Sequence, residues 1–309
     1  MKNKQLLVGI ISVVLGLFAG AILMVLIGEN PITGYMYLFK GGLMSIERVG
    51  NTLATATPII LTGLSVAFAF KTGLFNIGAS GQMLIGGLCA TAVALTVVLP
   101  KPLMIILIII VAIIGGFKGM SLETESRSIP DFASLKVDWL SNLFNGSYIN
   151  LGLFIALITV VIIWIVLNKT VIGFQMKAAG FNRDAALYSG MNVNKNIVLS
   201  MVIAGALAGL AGATYYVGYS SNMQIGVLPT AGFDGIAVAL LGANNPFGAA
   251  AGAIFFGLLH SGKGFMSAMT NIPPEIGDTI IATIIYFAAV SILIEKFLTF
   301  LSKRIKERK

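Results

Sequence analysis

Residues 6–28 read LLVGIISVVLGLFAGAILMVLIG, a run without a single charged side chain. About 20 apolar residues in a helix are enough to cross the hydrocarbon layer of a bilayer. The run is longer than the apolar part of a typical signal peptide, and no clear small-x-small cleavage site precedes Glu29. It therefore predicts an uncleaved first membrane span.

Charge-free runs of similar character recur along the rest of the chain. The whole sequence of 309 residues is 57% hydrophobic and 10% charged, which is more apolar surface than a soluble domain keeps in water. Strand-like alternation is absent, so the sequence predicts an all-α, polytopic transmembrane helical bundle forming a single domain over residues 1–309. The runs are 52–70, 82–99, 103–116, 149–167, 197–217, a broken pair at 236–242 and 247–259, and 279–294.

The distribution of charge between the runs predicts the orientation. Lysine and arginine collect in residues 168–196 and in the C-terminal tail, and Lys2 and Lys4 precede the first run. By the positive-inside rule, these stretches and both termini are expected in the cytoplasm. Residues 118–148 carry four acidic against three basic side chains, which favours an external loop.

The number of crossings disagrees with this orientation by one. Counting forward from a cytoplasmic N-terminus places residues 168–196 outside, whereas counting backward from the tail places them inside. Either the run 103–116, at about 14 residues short for a span, does not cross, or a helix is missing near Phe117.

Several classes of function are excluded by composition. The chain has one cysteine, Cys89, and one histidine, His260, with no zinc-like spacing and no phosphate-binding loop, so we expect no enzyme, no metal site and no cofactor bound by this chain. The basic residues form no aromatic-laced stripe, which disfavours nucleic acid as a partner. All acidic residues fall in loops or near span ends, which favours external energy over an ion-coupled secondary transporter, although sodium held by backbone carbonyls stays possible. His260 is expected at the membrane interface with its polar tip wetted.

Three segments carry possible function. In residues 70–82, FKTGLFNIGASGQ, glycines interrupt the apolar pattern and predict a broken or re-entrant helix near 73–82 that lines a cavity, with close helix packing as the alternative. Residues 241–248 contain Asn244, Asn245 and Pro246 and predict a hairpin tip between two spans. Residues 176–192 predict a short helix that Asn182 caps and Gly190 ends, suited to docking on another protein, with a position on the lipid surface as the alternative.

The stretches GLFNIGASGQ (73–82), AAGFNRDAALYSGM (178–191) and GFDGIAVALLGANNPFG (232–248) together resemble the branched-chain amino acid and simple-sugar class of ATP-binding-cassette importer permeases. Within that class the chain most resembles the nucleoside permeases that work with basic-membrane-protein-type lipoproteins. The resemblance implies a type II-like fold and the import of nucleosides such as guanosine or adenosine by alternating access, driven by partner ATPases. Simple sugars such as ribose, or branched-chain amino acids, are the alternative substrates.

The resemblance also implies partners and a location. The partners are cytoplasmic ATP-binding subunits that hold the ATP, a second homologous permease, an external substrate-binding lipoprotein and membrane lipid, all at a bacterial cytoplasmic membrane. Related permeases carry a cytoplasmic stretch and one more helix where this chain has residues 116–118.

Site residues follow from the resemblance as well. It assigns ATPase coupling within the 168–196 loop to Ala178, Ala179, Gly180, Asn182, Ala185, Ala186, Tyr188 and Gly190. It makes Phe75, Asn76, Ser80 and Gln82 candidates for the translocation path.

Overall fold

A computed structural model of the chain describes residues 2–115, 128–223 and 227–290. Within these ranges it consists of α-helices and one short π-helix, and no strand occurs there. The α-helices are α1 (Lys2–Leu26), α2 (Pro31–Leu43), α3 (Ile46–Lys71), α4 (Ala79–Thr96), α5 (Lys101–Gly115), α6 (Asp138–Leu143), α7 (Gly152–Lys169), α8 (Val171–Phe181), α9 (Arg183–Tyr188), α10 (Val193–Ala213), α11 (Ala231–Leu241), α12 (Pro246–Met269) and α13 (Pro274–Ala289), and the π-helix Thr214–Ser220 continues α10.

Helix α3 forms the centre of the bundle. Every residue from 56 to 69 is buried, and α7, α10, α11 and α12 pack around it. A helix that is apolar on all sides needs such an environment. The hydroxyl groups on α3 are satisfied internally; Thr62, for example, donates to the backbone oxygen of Ala231 at 2.6 Å.

The outer helices expose apolar side chains instead of polar ones. Phe18 on α1, Ile106 on α5 and Ile158 on α7 are all more than half exposed. In the described part of the chain, five helices are long and apolar enough to cross a membrane, and α5 and α11 are shorter apolar helices. An apolar exterior around a packed core is the arrangement that lipid stabilises, so the chain is a multi-pass membrane protein.

Small residues let the helices approach closely. A Cβ atom on Gly86 of α4 would overlap the backbone of Gly209 on α10, and one on Gly212 would overlap the backbone of α4. Without a hydrophobic driving force between helices in lipid, such contacts supply much of the packing energy.

A helix occurs at each predicted run, although residue 116 and residues 291–294 of those runs lie outside the described ranges, and two differences stand out. Helix α12 extends to Met269, ten residues past the predicted run, and α2 was not predicted at all. Asn30 caps α2 by accepting a hydrogen bond from the amide of Ile32 at 2.9 Å, and Pro31 occupies its first position. The hairpin tip predicted at 241–248 is confirmed, because Asn245 caps α12 and accepts from the amide of Phe247 at 3.0 Å.

The ends of the bundle are defined by two groups of residues. At one end, which we call the 128–151 end, the amide of Ile129 donates to Ser221 at 2.9 Å, and Lys101 Nζ donates to the backbone of Lys136 at 2.7 Å. At the opposite end, the 170–192 end, lie α8 and α9. The first ten of the residues predicted as the 118–148 loop fall outside the described residues.

Helices α5 and α7 run in the same direction. Helix α5 starts at the 128–151 end with Lys101, and its last residue, Gly115, lies beside Cys89 in the middle of α4. Helix α7 starts beside Thr214 at the same end, and its last residue, Lys169, leads into α8. The chain must therefore return to the 128–151 end between them.

Candidate functional site

Helices α8 and α9 owe their boundaries to three local signals. Thr170 accepts a hydrogen bond from the amide of Gly173 at 3.1 Å and begins α8, and Asn182 accepts from the amide of Ala185 at 3.0 Å and begins α9. Gly190, with φ of +78°, ends α9 in the left-handed conformation. The short capped helix predicted between Asn182 and Gly190 is confirmed.

The α8–α9 pair presents a largely exposed surface at the 170–192 end. Phe181 is 95% exposed and Tyr188 is 91% exposed, so the described residues leave both aromatic rings almost uncovered. Large apolar side chains held in the open mark sites of interaction. Of the predicted coupling residues, Gly180, Asn182, Ala185, Tyr188 and Gly190 are exposed, Ala178 is half-buried, and Ala179 and Ala186 are buried against the bundle.

A cleft of about 540 Å³ lies between the end of α3 and α8, beside the point where Gly73 meets Gly180. Phe70 and Lys71 line one side, and Phe174, Lys177 and Phe181 line the other. The cleft thus combines aromatic rings with two lysines, a composition that complements an acidic or apolar partner surface.

The connection between α3 and α4 is short and well ordered by hydrogen bonds. The amide of Leu74 donates to Ala69 at 2.8 Å and that of Gly73 to Phe70 at 3.2 Å, with Gly73 at φ of +74°. This is the Schellman arrangement that closes a helix. Helix α4 then begins at Ala79, so the interruption predicted near 73–82 is present as the connection between α3 and α4, and its role in lining a cavity stays a prediction.

Asn76 lies inside the bundle at this break. It is 1% exposed, and its Nδ2 donates to Ser65 Oγ at 2.9 Å and to Gln82 Oε1 at 2.8 Å. Ser65 in turn donates to the backbone of Ala204 on α10 at 2.7 Å. The Oδ1 atom of Asn76 is buried and has no hydrogen-bond partner among the residues that the structure describes. A buried polar atom left unpaired is costly and is rare in folded proteins.

The four residues predicted to line the translocation path do not form one cluster in the structure. Ser80 is buried against Gly232 of α11, so its side chain joins the helix packing. Phe75 is 47% exposed and packs against the ring of Phe70, with ring centroids 5.1 Å apart. Asn76 and Gln82 are therefore the two that form a polar pair.

A second buried polar pair was missed by the sequence analysis. Asp234 on α11 is 4% exposed, and its Oδ2 lies 3.0 Å from Nε2 of His260 on α12. The side chain of His260 is only 15% exposed. Asp234 lies within packed helices, since Gly232 contacts α4 and Gly235 contacts Thr62 of α3, and His260 follows the buried Leu259 on α12.

Two predictions are corrected by this pair. Asp234 lies in the first turn of α11, near a helix end as expected, but it is buried in the bundle interior, so the inference that no ionisable group lies inside the bundle was wrong. His260 is likewise not a wetted interfacial residue. The two residues stand 26 positions apart in sequence, on either side of the 241–248 tip, and the hairpin that brings their helices together was the available signal.

No group of three or more histidine, cysteine, aspartate or glutamate side chains that could hold a metal ion occurs among the described residues. The fold and the exposed α8–α9 pair define a polytopic membrane protein with an interaction surface at one end.

Comparison with known proteins identifies the family. Residues 48–124 and 114–289 match the family described as the permease component of the branched-chain amino acid transport system. The nucleoside ABC transporter permease protein NupB of Lactococcus lactis is 39% identical over 346 residues, covering 96% of this chain and 94% of the relative. The guanosine ABC transporter permease protein NupP of Bacillus subtilis is 37% identical over 342 residues and covers 98% of both chains.

A more distant relative has a different substrate in its name. The glucose ABC transporter permease protein TsgB13 of Haloferax volcanii is 26% identical over 336 residues, covering 93% of this chain and 88% of the relative. No solved structure matches the chain.

The chain is therefore a transport permease of the ATP-binding-cassette class, a class that works with ATP-binding and substrate-binding partners in general. It belongs to the family of branched-chain amino acid transport permeases.

Proposed function

We propose that this chain is the membrane-spanning permease subunit of an importer that moves nucleosides, such as guanosine or adenosine, into the cell. The observation that carries the proposal is the likeness, over nearly the whole chain, to two permeases named for nucleosides and guanosine, at 39% and 37% identity. Glucose in the name of a 26% identical relative keeps simple sugars as the second candidate.

The chain has no catalytic role in this proposal and binds no cofactor. Its sequence contains no phosphate-binding loop, so ATP is held by partner subunits in the cytoplasm. A second homologous permease completes the membrane unit, and an external lipoprotein delivers the substrate. The bundle alternates between two openings as the ATPases close and open.

The α8–α9 surface is the proposed docking site for the ATPases. Phe181 and Tyr188 supply apolar area, while Lys71 and Lys177 supply positive charge beside it. A hydrophobic centre with charge near its edge is the usual anatomy of a protein interface. Coupling is assigned to the exposed predicted residues, above all Gly180, Asn182 and Tyr188.

The translocation path is proposed to pass Asn76 and Gln82. Both are polar amides beside an interrupted helix, and broken helices are where membrane transporters place polar groups next to substrate. The unpaired Oδ1 of Asn76 supports this role, because a substrate or water donor would satisfy it in another state of the bundle.

The proposed orientation places the 170–192 end in the cytoplasm. Gly9, close to the N-terminus, packs on Leu241 beside the hairpin tip, and Lys71 lines clefts with both the tip and α8. The N-terminus therefore shares a side with the coupling segment, as the positive-inside rule requires. The C-terminal tail, proposed to lie on the same side, falls outside the described residues.

We also propose that the chain lacks a family segment near 116–118. The course of α5 and α7 supports this, because both helices start at the 128–151 end, and a further helix between them would return the chain to that end. The family matches the chain in two segments, 48–124 and 114–289, which meet at residues 114–124. The alignment with the Lactococcus relative spans 346 positions, more than the 309 residues of this chain.

Uptake of radiolabelled guanosine tests the substrate assignment. Cells with and without the gene are compared, with excess adenosine, ribose or leucine as competitor. We expect uptake to require the gene and to be competed by adenosine alone. Competition by ribose or leucine, or uptake unchanged by loss of the gene, would reject nucleosides as the substrate.

A further inference from the structure

Two glycines from separate sequence motifs meet backbone to backbone. A Cβ atom on Gly180, near the end of α8, would overlap the carbonyl group of Thr72 and the amide nitrogen of Gly73. The converse also holds, because a Cβ atom on Gly73 would overlap the backbone of Gly180. The coupling segment therefore rests directly on the residues that end α3.

Gly73 meets two demands at once. Its φ of +74° is a left-handed conformation that other residues adopt only with strain, and its contact with Gly180 leaves no space for a side chain. Thr72 beside it is buried, and its hydroxyl group bonds back to Ala69 at 3.0 Å. The end of α3 is thus a stiff support for α8.

Three residues further along, the chain enters the bundle interior. Asn76 is fixed by its hydrogen bonds to Ser65 and to Gln82. If Gly73 moves, only the backbones of Leu74 and Phe75 can change conformation to leave Asn76 in place. Phe75 is itself stacked on Phe70. The path from Gly180 to Asn76 is therefore short, with only two residues between Gly73 and Asn76.

We propose that the contact between Gly180 and Gly73 is the mechanical link through which the α8–α9 segment positions Asn76 and Gln82. A contact between two backbones has no side-chain rotamer with which to take up a displacement, so movement of α8 must move Gly73 or break the contact. Packed interiors respond to such shifts by switching arrangement and not by gradual deformation. The Oδ1 atom of Asn76 is unpaired in this arrangement, so a rearrangement of Asn76 and Gln82 can give it a hydrogen bond. The inference rests on the proposed function, in which ATPases act on α8–α9.

Close packing alone is the competing explanation, and the chain contains matched controls for it. Gly86 makes the same kind of backbone contact with Gly209, between α4 and α10 and away from α8. Gly28 has a φ of +83°, like Gly73, but open space around it. Gly86→Ala therefore reproduces the overlap of Gly180→Ala, and Gly28→Ala reproduces the backbone strain of Gly73→Ala.

The test measures movement at Gln82 in the assembled transporter with its ATPases. In a Cys89→Ser background, Gln82→Cys is labelled with a maleimide in the presence and absence of ATP under non-hydrolysing conditions. We expect ATP to change the labelling rate on the order of tenfold, and Gly180→Ala or Gly73→Ala to abolish that change. Both control variants should keep it. Because the assay needs no substrate, its result does not depend on nucleosides being the solute.

Co-purification of the ATPases distinguishes a failure of the proposed function from a failure of the proposed link between Gly180 and Gly73. If the ATPases do not bind the unmodified transporter, the proposed function fails, whereas a wrong solute shows only in uptake. If they bind to Gly180→Ala normally and the ATP-dependent change at Gln82→Cys persists, the link is refuted. Should Gly180→Ala fail to assemble, Gly180→Ser and Gly73→Ala are compared with Gly86→Ala in the same way, and equal losses in all variants would also refute it.

Discussion

Asp234 and His260 illustrate how much depends on a single pair of side chains inside a bilayer. Each group is nearly removed from water, and the 3.0 Å contact between Oδ2 and Nε2 is what compensates Asp234 for that loss. The position of Asp234 in the first turn of α11 adds a favourable interaction with the helix dipole. Removing one member leaves a buried polar group unpaired, whereas removing both does not.

We therefore expect Asp234→Ala to destabilise the detergent-solubilised protein by about 3 kcal/mol or more. The double variant Asp234→Ala/His260→Ala should recover part of the lost stability. The matched control is Asp278→Ala, which breaks the pair formed by Asp278 with Lys263, where the Asp278 side chain is 55% exposed and a loss of about 0–1 kcal/mol is expected. Thermal unfolding of the purified protein measures all three, and equal losses for Asp234→Ala and Asp278→Ala would contradict the interpretation.

At the scale of the element, helix α9 depends on its cap. It has only six residues, Arg183–Tyr188, and an isolated helix of that length is unstable in water. The hydrogen bond from the Ala185 amide to Asn182 Oδ1 and the left-handed Gly190 hold its two ends. The longer α10 has the same type of cap at Asn192, which accepts from the amide of Lys195 at 2.9 Å.

Asn182→Ala should remove about 1 kcal/mol of local stability and fray α9. Asn192→Ala removes the same kind of bond from a helix of 21 residues, so fraying should stay local to its first turn. Hydrogen exchange at the amides of residues 185–189 reports the difference. Guanosine uptake should fall for Asn182→Ala more than for Asn192→Ala; a reverse order would argue against α9 as a docking element.

The sequence predicted elements well where length and polarity decide the structure. Runs such as 52–70 are long and uncharged, and the bilayer leaves them only one conformation. Helix α2 was missed because residues 31–43 mix three glycines with Thr33 and Lys40, so no apolar run stands out. Its burial against α12 is a tertiary effect that local pattern does not contain.

The site could be predicted only in part, for a related reason. The cap at Asn182 and the end at Gly190 are local signals, and both were found. The contact of Gly73 with Gly180 and the pair formed by Asp234 with His260 join residues far apart in sequence. Such contacts depend on how helices pack, which a single sequence does not encode in any short pattern.

For the whole molecule, the sidedness of the bundle is the feature to test. In a Cys89→Ser background, cysteine is placed at exposed Ser189 in the 170–192 end or at exposed Asn145 in the 128–151 end. A membrane-impermeant maleimide added to intact cells should label Asn145→Cys and leave Ser189→Cys unlabelled until the membrane is opened. The opposite pattern would reverse the proposed orientation.

The same preparation tests the proposed missing segment. The sequence corresponds to a mass of 32.5 kDa. If the functional protein contains a further crossing between α5 and α7, its intact mass from native membranes exceeds this value, and the additional peptides map between Gly116 and Lys118. A mass of 32.5 kDa in a preparation that transports guanosine would reject the missing segment.

The bare aromatic surface of α8 and α9 also bears on how the cell controls the amount of this subunit. If the ATPases dock on Phe181 and Tyr188 as proposed, a copy made in excess of them displays the kind of apolar surface that quality-control proteases recognise. Unassembled copies should be degraded faster than assembled ones. The supply of ATPase subunits would then set the number of permeases in the membrane, without any need for matched rates of synthesis.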